Sequence, residues 1–284
     1  MIDMAEARVI ADQIAEHLLG KRIAGAELGE KKKRSYRDAY LLRVKPEVFR
    51  ERLEGTTLSD AYAKYRHVCL ETDGGAGMDV WDVYGKILYI EAGAKVPGNP
   101  PITLLFDDGS RLIVLPGVWG AMRLASNEDL RAFRDGSDAE ILDATSEAFT
   151  IEALRGLIVR DAFQKSTIKQ VIARHGSPGI VGMMGAYNQE ALYRARIHPK
   201  RKPQTLSDDE LAALHGAIQG VVRDAIAAGG RASERDLFDR PGGWAPTVSR
   251  ATEGTPCPAC GALIAEVKLG GGGKYYMCPG CQVL

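Results

Sequence analysis

The sequence predicts an α+β chain in four parts: an N-terminal helix, a β-sandwich or barrel, a helical region, and a C-terminal β-hairpin hung between paired cysteines. Two observations predict this order. Hydrophobic periodicity is helical over residues 4 to 19, breaks into short runs between turn residues from Arg22 to Leu124, and returns to helical spacing after about residue 135. The last 28 residues then carry four of the five cysteines as Cys257-Pro258-Ala259-Cys260 and Cys278-Pro279-Gly280-Cys281, with seventeen residues between the pairs.

The first helix puts Met4, Val9, Ile10, Ile14, Leu18 and Leu19 on one face and Glu6, Arg8, Asp12, Gln13 and Glu16 on the other, and Gly20 ends it. Strands are expected at Tyr40–Val44, His67–Glu71, Lys86–Ile90 and Ile102–Phe106. Asp107-Asp108-Gly109 before Arg111–Leu115 is a hairpin signal, because Asp-Gly supplies the positive φ that a tight turn requires. Many short strands with Gly and Asp turns make this half a sandwich or barrel. Beyond it, Ile151–Leu157, Thr167–Arg174, Asn188–Arg194 and Asp208–Ala228 have helical spacing. Ser207-Asp208-Asp209-Glu210 is a capping box for the last of these, and Gly229-Gly230 stops it. A Gly- and Arg-rich connector over residues 229–256 leads to the cysteines. The N-terminal helix and the sandwich together take residues 1–135, the helical region and connector 136–250, and the hairpin 251–284.

Four thiolates at this spacing can close a tetrahedron around Zn²⁺, since two cysteines on one tight turn supply two adjacent corners. Cys257, Cys260, Cys278 and Cys281 are therefore the expected ligands of a structural zinc; two reduced pairs or a disulfide are the alternatives at this spacing. Two strand-like runs, Ala262–Leu269 and Lys274–Met277, flank Gly270 to Gly273 and read as a hairpin between the knuckles. Cys69, between Val68 and Leu70, is read as a buried strand residue.

With 45% hydrophobic and 26% charged residues the composition is that of a soluble globular chain. No apolar run approaches the roughly 18 residues of a membrane span, and no basic n-region precedes an apolar stretch, so neither a transmembrane helix nor a signal peptide is expected and a cytoplasmic protein is. Net charge is zero, from 37 basic and 37 acidic side chains, but the signs are segregated. Basic residues gather at Lys31–Arg34, between Arg194 and Lys202, and through Arg231, Arg235, Arg240 and Arg250; acidic ones at Asp107-Asp108, between Glu128 and Glu152, and at Asp208–Glu210. Such a pattern can present a positive face to nucleic acid despite the neutral total.

Three stretches, in this order, resemble the formamidopyrimidine-DNA glycosylase and endonuclease VIII family: Asn188–Pro199, Leu206–Leu211 through Gly229-Gly230, and Pro256–Cys260 through Cys278–Gln282. The first two are similar to that family's helix-two-turn-helix domain and the third to its zinc finger. The resemblance covers essentially the whole chain. It implies base-excision repair: bending of duplex DNA, extrusion of a damaged base, and cleavage of its N-glycosidic bond, with the base taken out of the stack because its target atoms are otherwise unreachable. It implies double-stranded damaged or abasic DNA as partner, a monomer, and a nucleoid-associated location.

The resemblance also assigns residues, and the chain departs from the family at several. The family opens Met-Pro-Glu, with the proline amine as nucleophile; this chain reads Met1-Ile2-Asp3, so the amine is expected on Met1. Asp3 stands at the catalytic glutamate, one methylene shorter, and is also a helix N-cap candidate; Glu6 matches a second acid of the opening helix. Met1, Asp3 and Glu6 are thus the catalytic candidates. Lys64 matches a phosphate-contacting loop lysine, Trp119 an aromatic wedge that offsets lost stacking, and Lys169 and Lys274 complete the DNA-binding set. Val83 replaces a methionine filler, Met184-Gly185 a phosphate-gripping Gly-Asn in a loop two residues longer, and Lys274 is the nearest cation to a lost hairpin arginine whose bidentate fork it cannot reproduce. Loss of the proline, asparagine and arginine keeps a second reading open, a non-catalytic binder of damaged or abasic DNA.

Overall fold

Asp3 starts the first helix, α1 (Met4–His17), by a capping box: its carboxylate accepts the Met4 N–H at 2.9 Å, and the Glu6 carboxylate reaches back to the Asp3 N–H at 2.9 Å. Gly20, at φ +84°, turns the chain out of it. The helix buries Ile10, Ile14 and Leu18 completely, contributing roughly 1.5–3 kcal/mol apiece relative to exposure. Leu19, expected on the buried face, is exposed, because the helix has ended two residues earlier, at His17. Glu6, expected on the polar face, is buried, since it faces back to the cap.

A computed structural model describes residues 1–28, 44–81, 83–116, 120–136, 140–174, 177–269 and 274–284. The strand expected at Tyr40–Val44, apart from Val44, the basic run Lys31–Arg34, and Trp119 lie outside the described residues. The described chain forms two compact units, Met1–Ser137 with Ala225–Trp244, and Asp138–Asp224 with Ala245–Leu284. Residues 225–244, largely read from sequence as connector, thus belong to the first unit.

That unit is a sandwich rather than a barrel, with two separate four-stranded antiparallel sheets. One contains β1 (Ile23–Leu28), β5 (Gly85–Ile90), β6 (Ile102–Phe106) and β7 (Arg111–Pro116) in the order β1-β6-β7-β5. The other contains β2 (Leu58–Lys64), β3 (His67–Thr72), β4 (Ala76–Trp81) and β8 (Ala121–Ser126) in chain order. Val68, Leu70, Met78, Val80 and Met122 of the second sheet share a buried core with Ile87, Leu104, Leu112 and Val114 of the first and with α1. Asp107-Asp108-Gly109 makes the expected β6–β7 turn, with Gly109 at φ +81°.

Two features of this half escape its periodicity. A short helix, α2 (Pro46–Leu53), begins with Pro46 in its first turn and buries only Phe49 and Leu53, too brief a pattern to stand out among strands. Strands β2, β4 and β8, which are not among the expected strands, carry Asp60, Asp79 and Arg123 on the face away from the shared core. Arg134 of α3 (Asn127–Asp135) pairs with Asp60 at 3.2 Å, Arg123 with the buried Asp79 at 3.0 Å, and Arg131 with the buried Glu71 at 2.7 Å. Gly77 lets α3 approach, since a Cβ there would meet Leu130 Cδ1 at 2.7 Å.

In the second unit β9 (Ile141–Asp143) pairs in parallel with β10 (Gly179–Val181), and α4 (Ile151–Ile158), α5 (Ile168–Ile172), α6 (Ala186–Arg194) and α7 (Asp208–Ala227) follow the expected helical stretches. The Ser207 box forms as read, with Ser207 N–H on Glu210 at 2.8 Å and Glu210 N–H on Ser207 Oγ at 3.2 Å. β11 (Ala265–Val267) and β12 (Tyr275–Met277) make a short antiparallel hairpin. Its core is small: Val248, Cys257, Ile264, Tyr276 and Cys278.

Candidate active site and metal centre

The first six residues are fixed from two directions. Ile2 is buried in the sandwich core and donates its N–H to the Val83 carbonyl at 2.8 Å. From the far end of the sequence, Arg231 grips the same segment: its Nε and Nη2 donate to the two Glu6 oxygens at 3.0 and 3.1 Å, its backbone N–H to Glu6 Oε1 at 3.0 Å, and its Nη2 also to the Met1 carbonyl. Glu234, three residues on, accepts the Met1 α-ammonium at 2.8 Å and lies 3.7 Å from Arg231. Gly230 makes room for the clamp, since a Cβ would meet Glu6 Cγ at 3.2 Å. The connector is itself held to this unit by Gln13, which bonds Asp236 and the Leu237 N–H, and by Leu237, whose carbonyl accepts the Tyr89 N–H.

Met1, Asp3 and Glu6 are therefore brought together, but on unequal terms. Asp3 is wholly buried as the cap of α1; burial, and then the Glu6 charge, hold its carboxyl above the usual carboxylate range against the pull of Arg231, the Met4 N–H and Arg66. Glu6, 3% exposed, is engaged through both oxygens. Glu234 is the more open carboxylate, with a side chain 16% exposed. Sequence reasoning found neither Arg231 nor Glu234. Their only signal was membership of an Arg-rich connector, and 233 residues separate Glu234 from the amine it meets.

Lys64 ends β2 directly opposite His67, and its Nζ lies 4.9 Å from the Tyr65 ring centroid. Tyr65 takes φ +57° to close this two-residue hairpin. Arg66 beside it is close enough to Asp3 to lower its pKa. His67 stacks on Trp81 at 4.8 Å and meets the buried Asp79 through Nδ1 at 3.2 Å. Val83, assigned as a filler by resemblance, has its side chain in the sandwich core, while neighbouring Tyr84 is exposed.

In the second unit the sulfurs of Cys257, Cys260, Cys278 and Cys281 all lie within 4.8 Å of one another, with Cys257–Cys281 at 3.8 Å and Cys260–Cys278 at 3.4 Å. Four bonds of about 2.3 Å in a tetrahedron require sulfurs about 3.8 Å apart, so the set fits a Zn²⁺ ion. Gly280 is required, because a Cβ there would sit 2.9 Å from Cys260 Sγ. Around the sulfurs, Tyr193 Oη lies 3.3 Å from Cys257 Sγ, the Cys281 N–H reaches Cys278 Sγ, and Gln282 joins the Cys278 N–H to the Ile197 carbonyl. Burial opposes ionisation of Cys257, but the Tyr193 hydroxyl and the N–H groups of Ala259 and Cys260 outweigh it and bring that thiol to about 6. Burial and the neighbouring sulfurs push Cys281 up to about 12. Four thiolates this close need a cation's charge to ionise together.

Lys169, on α5, lies 6.0 Å over the ring of Tyr275, whose hydroxyl donates to the Asn188 carbonyl. Lys274 is paired with Glu266 at 2.7 Å. Gly185 is the N-cap of α6 at φ +46° and offers no side-chain cap.

A profile described as "Formamidopyrimidine-DNA glycosylase H2TH domain" matches residues 142–236. The chain is 30% identical to a formamidopyrimidine-DNA glycosylase of Roseiflexus sp. (strain RS-1), over 99% of this chain and all of that one, and 27% identical to one from Cytobacillus firmus over the full length of both. Among solved structures, the complex of Lactococcus lactis Fpg with abasic-site DNA superposes with a TM-score of 0.82 at 21% identity, and the structure of MutM with DNA containing carbocyclic 8-oxo-G with a TM-score of 0.80 at 21%; each covers 99% of this chain and the whole of the other. An N-terminal helix on a β-sandwich, a helix-two-turn-helix stretch and a four-cysteine hairpin, matched end to end by the Roseiflexus protein, place the chain in the formamidopyrimidine-DNA glycosylase and endonuclease VIII family.

Proposed function

We propose that this protein is a base-excision DNA glycosylase. It binds damaged duplex DNA as a monomer, extrudes the lesion nucleotide and brings about net hydrolysis of its N-glycosidic bond, with AP-lyase activity weak beside base release. What carries the reading is the grouping of an α-amine, three carboxylates and Arg231 around the first six residues, where the family's chemistry resides. Family membership and the DNA complexes of Lactococcus lactis Fpg support it. The DNA substrate places its work at the nucleoid.

The parts divide the labour: residues 1–135, joined by the returning segment 225–244, carry the chemistry, the rest of 136–250 the helix-two-turn-helix grip, and 251–284 a structural zinc hairpin. Zinc would be held by Cys257, Cys260, Cys278 and Cys281, where it neutralises thiolate charge and replaces the core that this small hairpin lacks. Lys64, Lys169 and Lys274 contact phosphates, and Trp119 fills the gap left by the extruded base. Lys274 must leave Glu266 to do so, at little cost for an exposed pair.

A second reading, a binder of damaged DNA without chemistry, is favoured by one observation: Asp3 and Glu6 are committed to the α1 cap and to Arg231. Duplexes carrying ring-opened purines, oxidised purines or an abasic site separate the two. Release of the damaged base in single turnover supports the glycosylase; tight, lesion-dependent binding with no release from any of them selects the binder. For the phosphate contacts, Lys64→Ala and Lys169→Ala should each lower the slope of log K against log salt by about 1. An unchanged slope removes that lysine from the interface.

A further inference from the structure

The carboxylate that touches the terminal amine is not the one the family's motif supplies. In this chain the acid at position 3 is buried as a helix cap, and Glu6 has both oxygens engaged by Arg231 and the Asp3 N–H. Glu234 alone among the described residues accepts the Met1 ammonium, at 2.8 Å through Oε1, while its Oε2 has no hydrogen bond there. It is delivered by a segment whose position is fixed independently, through Arg231 on Glu6 and through Gln13 on Asp236 and Leu237.

We propose that Glu234 is the catalytic acid and base of this site, the role that the family's sequence pattern assigns to position 3, and that it serves the Met1 α-amine as nucleophile. An ammonium has no lone pair to offer, so its proton must leave before it can attack, and Glu234 is placed to take it. This rests on the glycosylase reading and specifies its acid–base chemistry.

With an abasic-site aldehyde the steps balance without a redox partner. Glu234 accepts one proton from the ammonium. The amine's lone pair forms the N–C1′ bond while the carbonyl π pair moves to oxygen, which takes the proton from Glu234. Glu234 then removes a second proton from nitrogen and returns it to the same oxygen, which departs as water as the C1′=N bond forms. The net change is ammonium plus aldehyde to iminium plus water. Arg231, 3.7 Å from Glu234 and bonded to Glu6 and the Met1 carbonyl, keeps the reacting segment in place through these transfers and is a positioning residue.

The test uses the full-length, untagged protein, its intact mass showing Met1 at the N-terminus, with abasic-site duplex and borohydride, which reduces the imine to a stable adduct. Peptide mapping should place the adduct on Met1. Glu234→Gln keeps the size and a hydrogen-bond acceptor but cannot accept a proton; it should slow trapping by about 100-fold with DNA affinity within about 2-fold of the parent. Glu234→Asp should recover part of the rate. Asp3→Asn should slow trapping far less than Glu234→Gln does. Trapping by Glu234→Gln at the parental rate, loss of trapping in Asp3→Asn with Glu234→Gln intact, an adduct mapped to Lys64, or no adduct from the parent would each overturn the assignment. If the parent still releases damaged base without an adduct, the glycosylase reading stands and only the role of Glu234 and the amine falls; if it binds without release or adduct, both fall.

Discussion

Removing the Arg231 guanidinium tests whether the terminal clamp holds the first unit together. Arg231→Met preserves most of the stem and the backbone N–H bond to Glu6 but deletes the guanidinium's contacts to Glu6 at 3.0 and 3.1 Å and its bond to the Met1 carbonyl. Glu6 is only 3% exposed and Arg231 12%, so the variant strands a buried carboxylate with two backbone donors in place of a full partner. Losing one member of a buried pair costs about 3–5 kcal/mol. The two surviving donors put this case at the low end, about 3 kcal/mol, because they still solvate the charge. For a unit of this size that corresponds to a fall of about 6–12 °C in the melting temperature. Calorimetry at neutral pH reads it directly. The double variant Glu6→Gln with Arg231→Met should be less destabilised than the sum of its parts, with a coupling of about 2 kcal/mol, since no charge is then left unpaired. A melting temperature for Arg231→Met within about 2 °C of the parent, or strict additivity in the cycle, would refute the reasoning.

Asp3 gives a pH-dependent prediction. Its native pKa is raised, so the folded chain holds a proton that the unfolded chain releases, and stability falls as pH rises from the unfolded value of 3.8 toward the higher native one. Asp3→Asn retains a good N-cap without that ionisation; it should melt higher than the parent at pH 7, with the gain shrinking as pH drops to 3.8 and below. A gain that grows on acidification contradicts this sign. Chelation, or Cys281→Ser, should remove one bound zinc per chain and melt the hairpin, whose described core is five residues; a chelated protein with an unchanged second-unit transition would show that the metal is dispensable to the fold.

Local patterns in the sequence settled much of this molecule. The α1 stripe and its cap, the Asp-Gly turn after β6, the Ser207 capping box and the paired cysteine knuckles each encode a structure within a few residues, where short-range hydrogen bonds and side-chain period decide the conformation. The pattern failed where a charged side chain is made internal by a distant partner. Strands β2, β4 and β8 are absent from the expected strands; they carry Asp60, Asp79 and Arg123, and the arginines of α3 and β8 pair with the carboxylates of that sheet face. Glu6 read as solvent-facing for the same reason. Met1, Asp3 and Glu6 were legible as candidates through the resemblance, but their protonation and bonding were not. That Glu6 is gripped by Arg231 and that Glu234 meets the amine follow from a return of the chain after more than two hundred residues. No local propensity contains such a meeting, because an ion pair's energy depends on separation in space and on burial, and both are set only when the sandwich and its connector have packed.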